Sequence, residues 1–105
     1  MITFIAHLRV RPENAEALEA LLTEVGTRTR ENEPGVVYYE FGRSVDEADT
    51  YVMIEVYRDA AAQAAHMASP WVRESLPRSA LLVDGPPQVR QYVSPGAEPV
   101  RTRLF

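Results

Sequence analysis

His7 and His66 are the only imidazoles in this 105-residue chain, which has no cysteine and no lysine. They therefore carry most of the proton transfer open to it near neutral pH. His66 closes an alanine-rich stretch, AAAQAAHM, with Ala62 and Met67 as neighbours. There it reads as a general base or hydrogen-bond donor in a pocket between a helix and a sheet. Alternatively, it is a partly buried residue that ends a helix, favourably placed against the dipole. Glu55 lies inside a run of Val, Met, Ile, Val and Tyr, where a carboxylate has to be paired or line a polar cavity. It either orients His66 or meets an arginine such as Arg9 or Arg90 on a neighbouring strand. Tyr38, Tyr39, Tyr51, Tyr57 and Trp71 are the aromatic residues with polar handles. Packing is their default role, and one or two of them could set a donor beside a ligand oxygen.

Composition removes several other chemistries. Without cysteine or lysine there are no disulfides, thiolate sites, thiol nucleophiles or Schiff bases. All eleven basic residues are arginine, and fifteen acidic residues bring the net charge to −4, which argues against nucleic acid or an anionic membrane as partner. The five glycines never cluster into a phosphate-cradling loop, and no serine has a nucleophile-elbow context. A metal site would need His7, His66 and a carboxylate such as Glu55. Strand alternation sends His7 to the face opposite the one under the helices, so no metal is expected. No apolar run approaches the roughly 18 residues of a membrane span, and the Met-Ile-Thr-Phe start has no charged leader region. The expectation is a soluble, cytoplasmic protein.

The elements that must position these residues follow from periodicity. Residues 2–10 alternate, with Ile2, Phe4, Ala6, Leu8 and Val10 on one apolar face, and Arg11-Pro12 ends the strand. From Glu13 to about Asn32 the period becomes helical, with Ala15, Leu18, Leu21, Leu22 and Val25 on one stripe. Glu33-Pro34-Gly35 closes that helix. Two strand-like runs, 36–43 and 50–58, flank a polar connection from Ser44 to Asp49 and predict a hairpin. Asp59 caps a helix over 60–67, and Ser69-Pro70 starts a further turn of helix that Pro77 is expected to end. A linker carrying the apolar patch Ala80–Val83 leads to a last strand, 88–94.

The order β-α-β-β-α-β predicts an α+β, ferredoxin-like domain over residues 1–94. Its four-stranded antiparallel sheet carries both helices on one face and leaves the other bare. Phe41, Tyr51, Tyr57 and Tyr92 are large strand residues, some of which are expected on that bare face. A second copy of the chain is the simplest cover, so a homodimer is expected. Residues 95–105 form a C-terminal arm in which Val100, Leu104 and Phe105 are punctuated by Arg101 and Arg103. This arm is expected either to lie across the partner subunit, docking Phe105 or Leu104 into an apolar groove, or to fray as an ordinary terminus.

Three segments together resemble the antibiotic biosynthesis monooxygenase family of small dimeric α/β barrels. They are FIAHLRVRPENAEAL (4–18), EPGVVYYEF (33–41) and VMIEVYRDAAAQAAHMASPW (52–71). The resemblance runs from residue 2 to about 94. By it, Glu55 and His66 match the family's glutamate and histidine. Tyr57 stands where tryptophan is usual, and Trp71 where many members have a second histidine after Ser-Pro. Heme-degrading relatives carry an Asn, Trp and His trio, and the matching places here hold Leu8, His66 and Leu76, which argues against heme. The resemblance implies cofactor-independent oxygenation of a quinol, phenol or polyketide-derived hydroxyaromatic. The substrate is deprotonated, and its anion passes an electron directly to molecular oxygen. His66 is then the base or donor, Tyr39, Tyr57 and Trp71 are substrate-facing donors, and Glu55 belongs to the same substrate-binding set. The family also contains isomerases of small signalling sugars. A non-catalytic dimeric ligand-binding or stress-response module of the same fold is the alternative.

Overall fold

Residues 1–101 are described by the computed structural model. The alternating strand β1 (Ile2–Arg9) occupies an inner position of a four-stranded sheet. It buries Ile2, Phe4, Ala6 and Leu8 on one side and leaves His7 and Arg9 exposed on the other. A single 3-10 turn, Pro12–Asn14, leads into helix α1 (Ala15–Asn32), which buries Leu18, Leu21 and Val25. Strands β2 (Val36–Arg43) and β3 (Thr50–Tyr57) form the expected hairpin, and helices α2 (Ala60–Ala68) and α3 (Pro70–Leu82) precede β4 (Gln88–Val93). The sheet order is β2-β3-β1-β4, antiparallel throughout. This is the ferredoxin-like α+β architecture, with three helices on one face.

The second helical segment departs from the sequence expectation at Pro77. Helix α3 does not stop there but runs on to Leu82, taking in most of the apolar patch assigned to a linker. Pro77 removes one hydrogen bond to the carbonyl of Arg73. Both residues lie on the exposed face of α3, where water can take the bond's place. The break instead falls between α2 and α3 at Ser69. Its hydroxyl donates to the His66 carbonyl (2.7 Å) and accepts from the Val72 N–H (3.4 Å), so one side chain ends one helix and caps the next. Asp59 caps α2 by accepting from the Ala62 N–H at 2.9 Å.

The strand faces also differ in part from expectation. Tyr51, Met53, Glu55 and Tyr57 pair with Leu8, Ala6, Phe4 and Ile2 and share their buried face. Phe41 packs against the same core. Of the four aromatics expected near the bare face, Tyr92 alone lies there, opposite Thr3. Tyr38 joins it, because a bulge between Val36 and Tyr38 lets Val36 and Tyr39 both turn toward the helices. Ile5 opposite Ile54, with Val52 and Val56 beside them, adds half-buried apolar surface to that face, which also carries Glu40, His7, Arg9 and Arg90.

Beyond β4 the chain folds back on itself. The Gln91 carboxamide donates to the Val100 carbonyl and accepts from its N–H, each at 2.7 Å. Val100 packs on Ile2, Phe4 and Tyr57 of its own chain. The expected docking of Leu104 or Phe105 lies outside the described residues. No helix among the described residues is long and apolar enough to cross a membrane.

Gly35 sets how closely α2 approaches the sheet. A Cβ built there would meet the Ala62 Cβ at 2.7 Å, well inside contact distance. Gly35→Ala must push α2 outward, and overpacking of this kind costs about 1–3 kcal/mol. The expected outcome is a melting temperature lower by roughly 4–15 °C for a domain of this size. An unchanged melting curve would show that α2 has slack at this point.

Candidate active site

Helices α1 and α3 do not close completely on the sheet. Between them lies a cavity of about 500 Å³, within the roughly 300–1,000 Å³ range of small-molecule sites. Leu21, Leu22 and Val25 of α1, Leu8 and Met53 of the sheet and Val72 and Leu76 of α3 make its walls apolar. Gly85, Pro86 and Pro87 of the α3–β4 loop also border it. Tyr39, Glu55 and His66 are its ionisable lining residues, and none of the lining residues is an arginine.

The placement of His66 follows from the turn that ends α2. It occupies the last turn of that helix and is only 2% exposed. Its Nδ1 lies 3.0 and 3.1 Å from the two carboxylate oxygens of Glu33. A carboxylate only accepts, so Nδ1–H is the donor, and in the neutral ring Nε2 is then the nitrogen with the lone pair. Nε2 stands 4.0 Å from Glu55 Oε1, beyond hydrogen-bond length. Glu33 also accepts the indole N–H of Trp71 at 2.7 Å.

Glu55 is held from the other side. Its Oε1 accepts the Tyr57 O–H, and Tyr57 is wholly buried. Burial pushes the Glu55 carboxyl above the usual carboxylate range, against the opposing pull of the Tyr57 hydrogen bond and of His66. Burial, then the negative charge and hydrogen bond of Glu55, also hold the Tyr57 phenol far above its ordinary value. The Tyr39 ring packs 4.9 Å from the His66 ring, centroid to centroid. Its phenol is raised first by burial and then by the charges of Glu55 and Glu33. Both tyrosines therefore stay protonated; Tyr57 donates to Glu55, and Tyr39 keeps a hydrogen free to donate.

The residues singled out in the sequence divide into two groups. Tyr39, Glu55 and His66 line the cavity; Tyr57 and Trp71 do not, and their polar hydrogens point at Glu55 and Glu33. Glu55 meets neither Arg9 nor Arg90, because both arginines are paired at positions on the opposite face of the sheet. His7 is exposed on that same opposite face, so the two imidazoles are separated by the sheet. Glu33 is the residue that the sequence reading passed over. Its signal was its position: a carboxylate at a helix C-terminus has the wrong sign for the dipole and needs a partner elsewhere.

Comparison with known proteins agrees with this fold. Residues 1–76 match the family model for antibiotic biosynthesis monooxygenases. A Mycobacterium tuberculosis protein, Rv0793, is 30% identical, with 89% of this chain and 93% of that one covered and a TM-score of 0.81. A Caulobacter crescentus structure, described provisionally as an antibiotic biosynthesis monooxygenase, superposes with a TM-score of 0.83 over 87% of this chain and 86% of that one. At 24% identity it speaks for the fold. An uncharacterized Synechocystis protein is 26% identical over 91 residues, 87% of this chain. The chain spans only 61% of that relative's length. With the family model covering well over half of its residues, the chain belongs to the antibiotic biosynthesis monooxygenase family.

Proposed function

We propose that the protein is a monooxygenase that uses no cofactor and acts on an uncharged quinol, phenol or related hydroxyaromatic. The observation that carries this reading is a cavity that is apolar along its walls and ionisable at one end, where Tyr39, Glu55 and His66 converge. An aromatic ring fits the walls, and its hydroxyl fits that end. The absence of arginine from the lining and the carboxylates of Glu55 and Glu33 nearby disfavour a substrate that already carries negative charge.

In this scheme Nε2 of His66 takes the substrate's hydroxyl proton, and the Tyr39 O–H donates to the oxyanion left behind. The apolar walls keep water from that anion and leave it electron-rich. It passes one electron to dioxygen, and the two radicals combine at a ring carbon. The proton held by His66 passes to the resulting peroxide, whose O–O bond then breaks as the ring carbon loses its hydrogen, so one oxygen stays on the ring as a quinone carbonyl and the other leaves as water. The substrate supplies all the electrons, so no external reductant enters. Tyr57 and Trp71 act behind the cavity wall, as donors to the two carboxylates.

The same reading includes a homodimer joined through the open sheet face. Ile5, Ile54, Val52, Val56, Tyr38 and Tyr92 form an apolar surface there that no element of the chain covers among the described residues. Light scattering at micromolar concentration is expected to give about twice the 11.8 kDa of one chain. A monomer would remove this part of the reading.

Two measurements test the chemistry. Oxygen uptake with a panel of quinols and hydroxyaromatics is expected for the wild type, and His66→Ala should lower turnover by about two to four powers of ten. Ligand-induced stabilisation with no oxygen consumed would instead favour a binding module.

The second measurement concerns what Glu55 does to stability. Its carboxyl is raised on folding, so its contribution is most favourable below the ordinary carboxylate range and is lost as pH climbs through the raised value. Glu55→Gln keeps an acceptor for Tyr57 without that charge. The variant is expected to gain on the wild type as pH rises from acid to neutral in denaturant unfolding, while oxygen uptake falls. A stability difference that stays flat with pH would contradict the buried, raised carboxyl.

A further inference from the structure

Glu33 follows the last residue of α1, where the unpaired carbonyls of the helix repel a carboxylate. Its side chain nonetheless turns inward and is only 10% exposed. Both oxygens lie within hydrogen-bond reach of one ring nitrogen, His66 Nδ1, at 3.0 and 3.1 Å. The Trp71 indole, a donor only, reaches Oε2 at 2.7 Å. Three helix ends thus meet at one carboxylate: the close of α1, the close of α2 and the first turn of α3.

The geometry points to Glu33 as the residue that positions His66, fixing the hydrogen on Nδ1 so that Nε2 presents its lone pair to the cavity. This inference rests on the reading of His66 as the base. A carboxylate cannot donate, so an imidazole held by Glu33 has one tautomer open to it while neutral. The same carboxylate faces the ring when Nε2 takes a proton, and its charge offsets the one the ring then gains. Glu55 does not do this work. It lies on the Nε2 side, 4.0 Å away, and accepts from Tyr57. Trp71 keeps Glu33 from swinging out to solvent. It sits directly after Ser69-Pro70, whose serine also binds the His66 carbonyl, so donor and imidazole share one rigid turn.

The chain's two histidines make the test direct. In a His7→Gln background His66 is the single imidazole, and its ring nitrogens are read by nitrogen-15 NMR in mildly alkaline buffer without any substrate. A hydrogen on Nδ1 is expected in the parent. Glu33→Gln, which can donate to Nδ1 as well as accept, should move the ring toward the Nε2–H form. Glu33→Asp should restore part of the parent pattern. Trp71→Phe leaves both His66 and Glu33 in place and should shift the populations in the same direction by less, which covers the case in which a Glu33 variant folds poorly. A bare Nδ1 in the parent, or an unchanged ring pattern in a folded Glu33→Gln, would overturn the inference. Where turnover is measured, Glu33→Gln should lower kcat about 10- to 100-fold, less than removal of the base, with KM little changed. An equal rise in KM with kcat intact would place Glu33 in ligand binding and also overturn it. Failure of the oxygenase reading shows separately, as no oxygen uptake by the parent whatever the ring spectrum gives.

Discussion

A buried imidazole between two carboxylates is the constraint around which the helical layer of this protein is organised. Moving such groups out of water costs several kcal/mol per ion, and only close, well-oriented partners recover it. Here the partners come from all parts of the chain. Glu33 arrives from the end of α1, Glu55 and Tyr57 from β3, and Trp71 from the start of α3. Each charge-assisted hydrogen bond returns about 1.5–3 kcal/mol, so the cluster holds only while every member is in register. Displacing α2 by about an ångström would part His66 from Glu33 and leave the imidazole buried without that partner. The tight contact of Gly35 with Ala62 and the double role of Ser69 prevent that displacement.

The ionisable groups that line the cavity gather at one end of it. Most of the remaining wall is leucine, valine and methionine, with Ser75 and Ser79 of α3 among them, and the apolar residues provide burial without direction. A ligand bound there gains area along the walls and orientation at the Tyr39–Glu55–His66 end. Stability and site chemistry pull against each other in this division. The Glu55 carboxyl is held above its ordinary range by its own burial, and an all-apolar replacement of the cluster is the kind of change that often stabilises a fold. Retaining it at that disadvantage is what the functional reading explains and a purely structural one does not.

Much of this was legible in the sequence because it rests on period and punctuation. The unbroken even face of β1, the helical stripe from Ala15 to Val25 and the polar Ser44–Asp49 connection each dictate their element locally. What was not legible depended on the third dimension. Pro77 reads as a stop, yet α3 absorbs it because the bond it loses faces water. The bulge at Val37 moves Tyr38 and Tyr39 to opposite faces from where strict alternation from Val36 would put them. Tyr57 and Trp71 were read as aromatic donors, and their partners could not be named until Glu33 and Glu55 were seen beside them. His66 and Glu55 were visible because a titratable residue in an apolar run is anomalous in one dimension. Glu33 lies in a polar run, Glu31-Asn32-Glu33, where one more carboxylate attracts no notice.

The three residues Glu33-Pro34-Gly35 show how closely folding and site are joined in so short a chain. Proline stops α1 from continuing, glycine admits α2 against the turn, and glutamate, freed from the helix by that same stop, turns to His66. Ser69-Pro70-Trp71 repeats the logic at the α2–α3 break: a cap, a helix start and a donor to the same carboxylate. Two turns that would pass as mere connections therefore hold His66 from behind the cavity wall. A substitution that shifts the backbone at either turn acts on stability and on the orientation of His66 at once. Melting temperature and ring tautomer should accordingly move together for Gly35, and separately for an isosteric change at Glu33. That separation follows because, of these two residues, Glu33 is the one bonded to the imidazole, and an isosteric change there leaves the backbone path of α1 and α2 as it is.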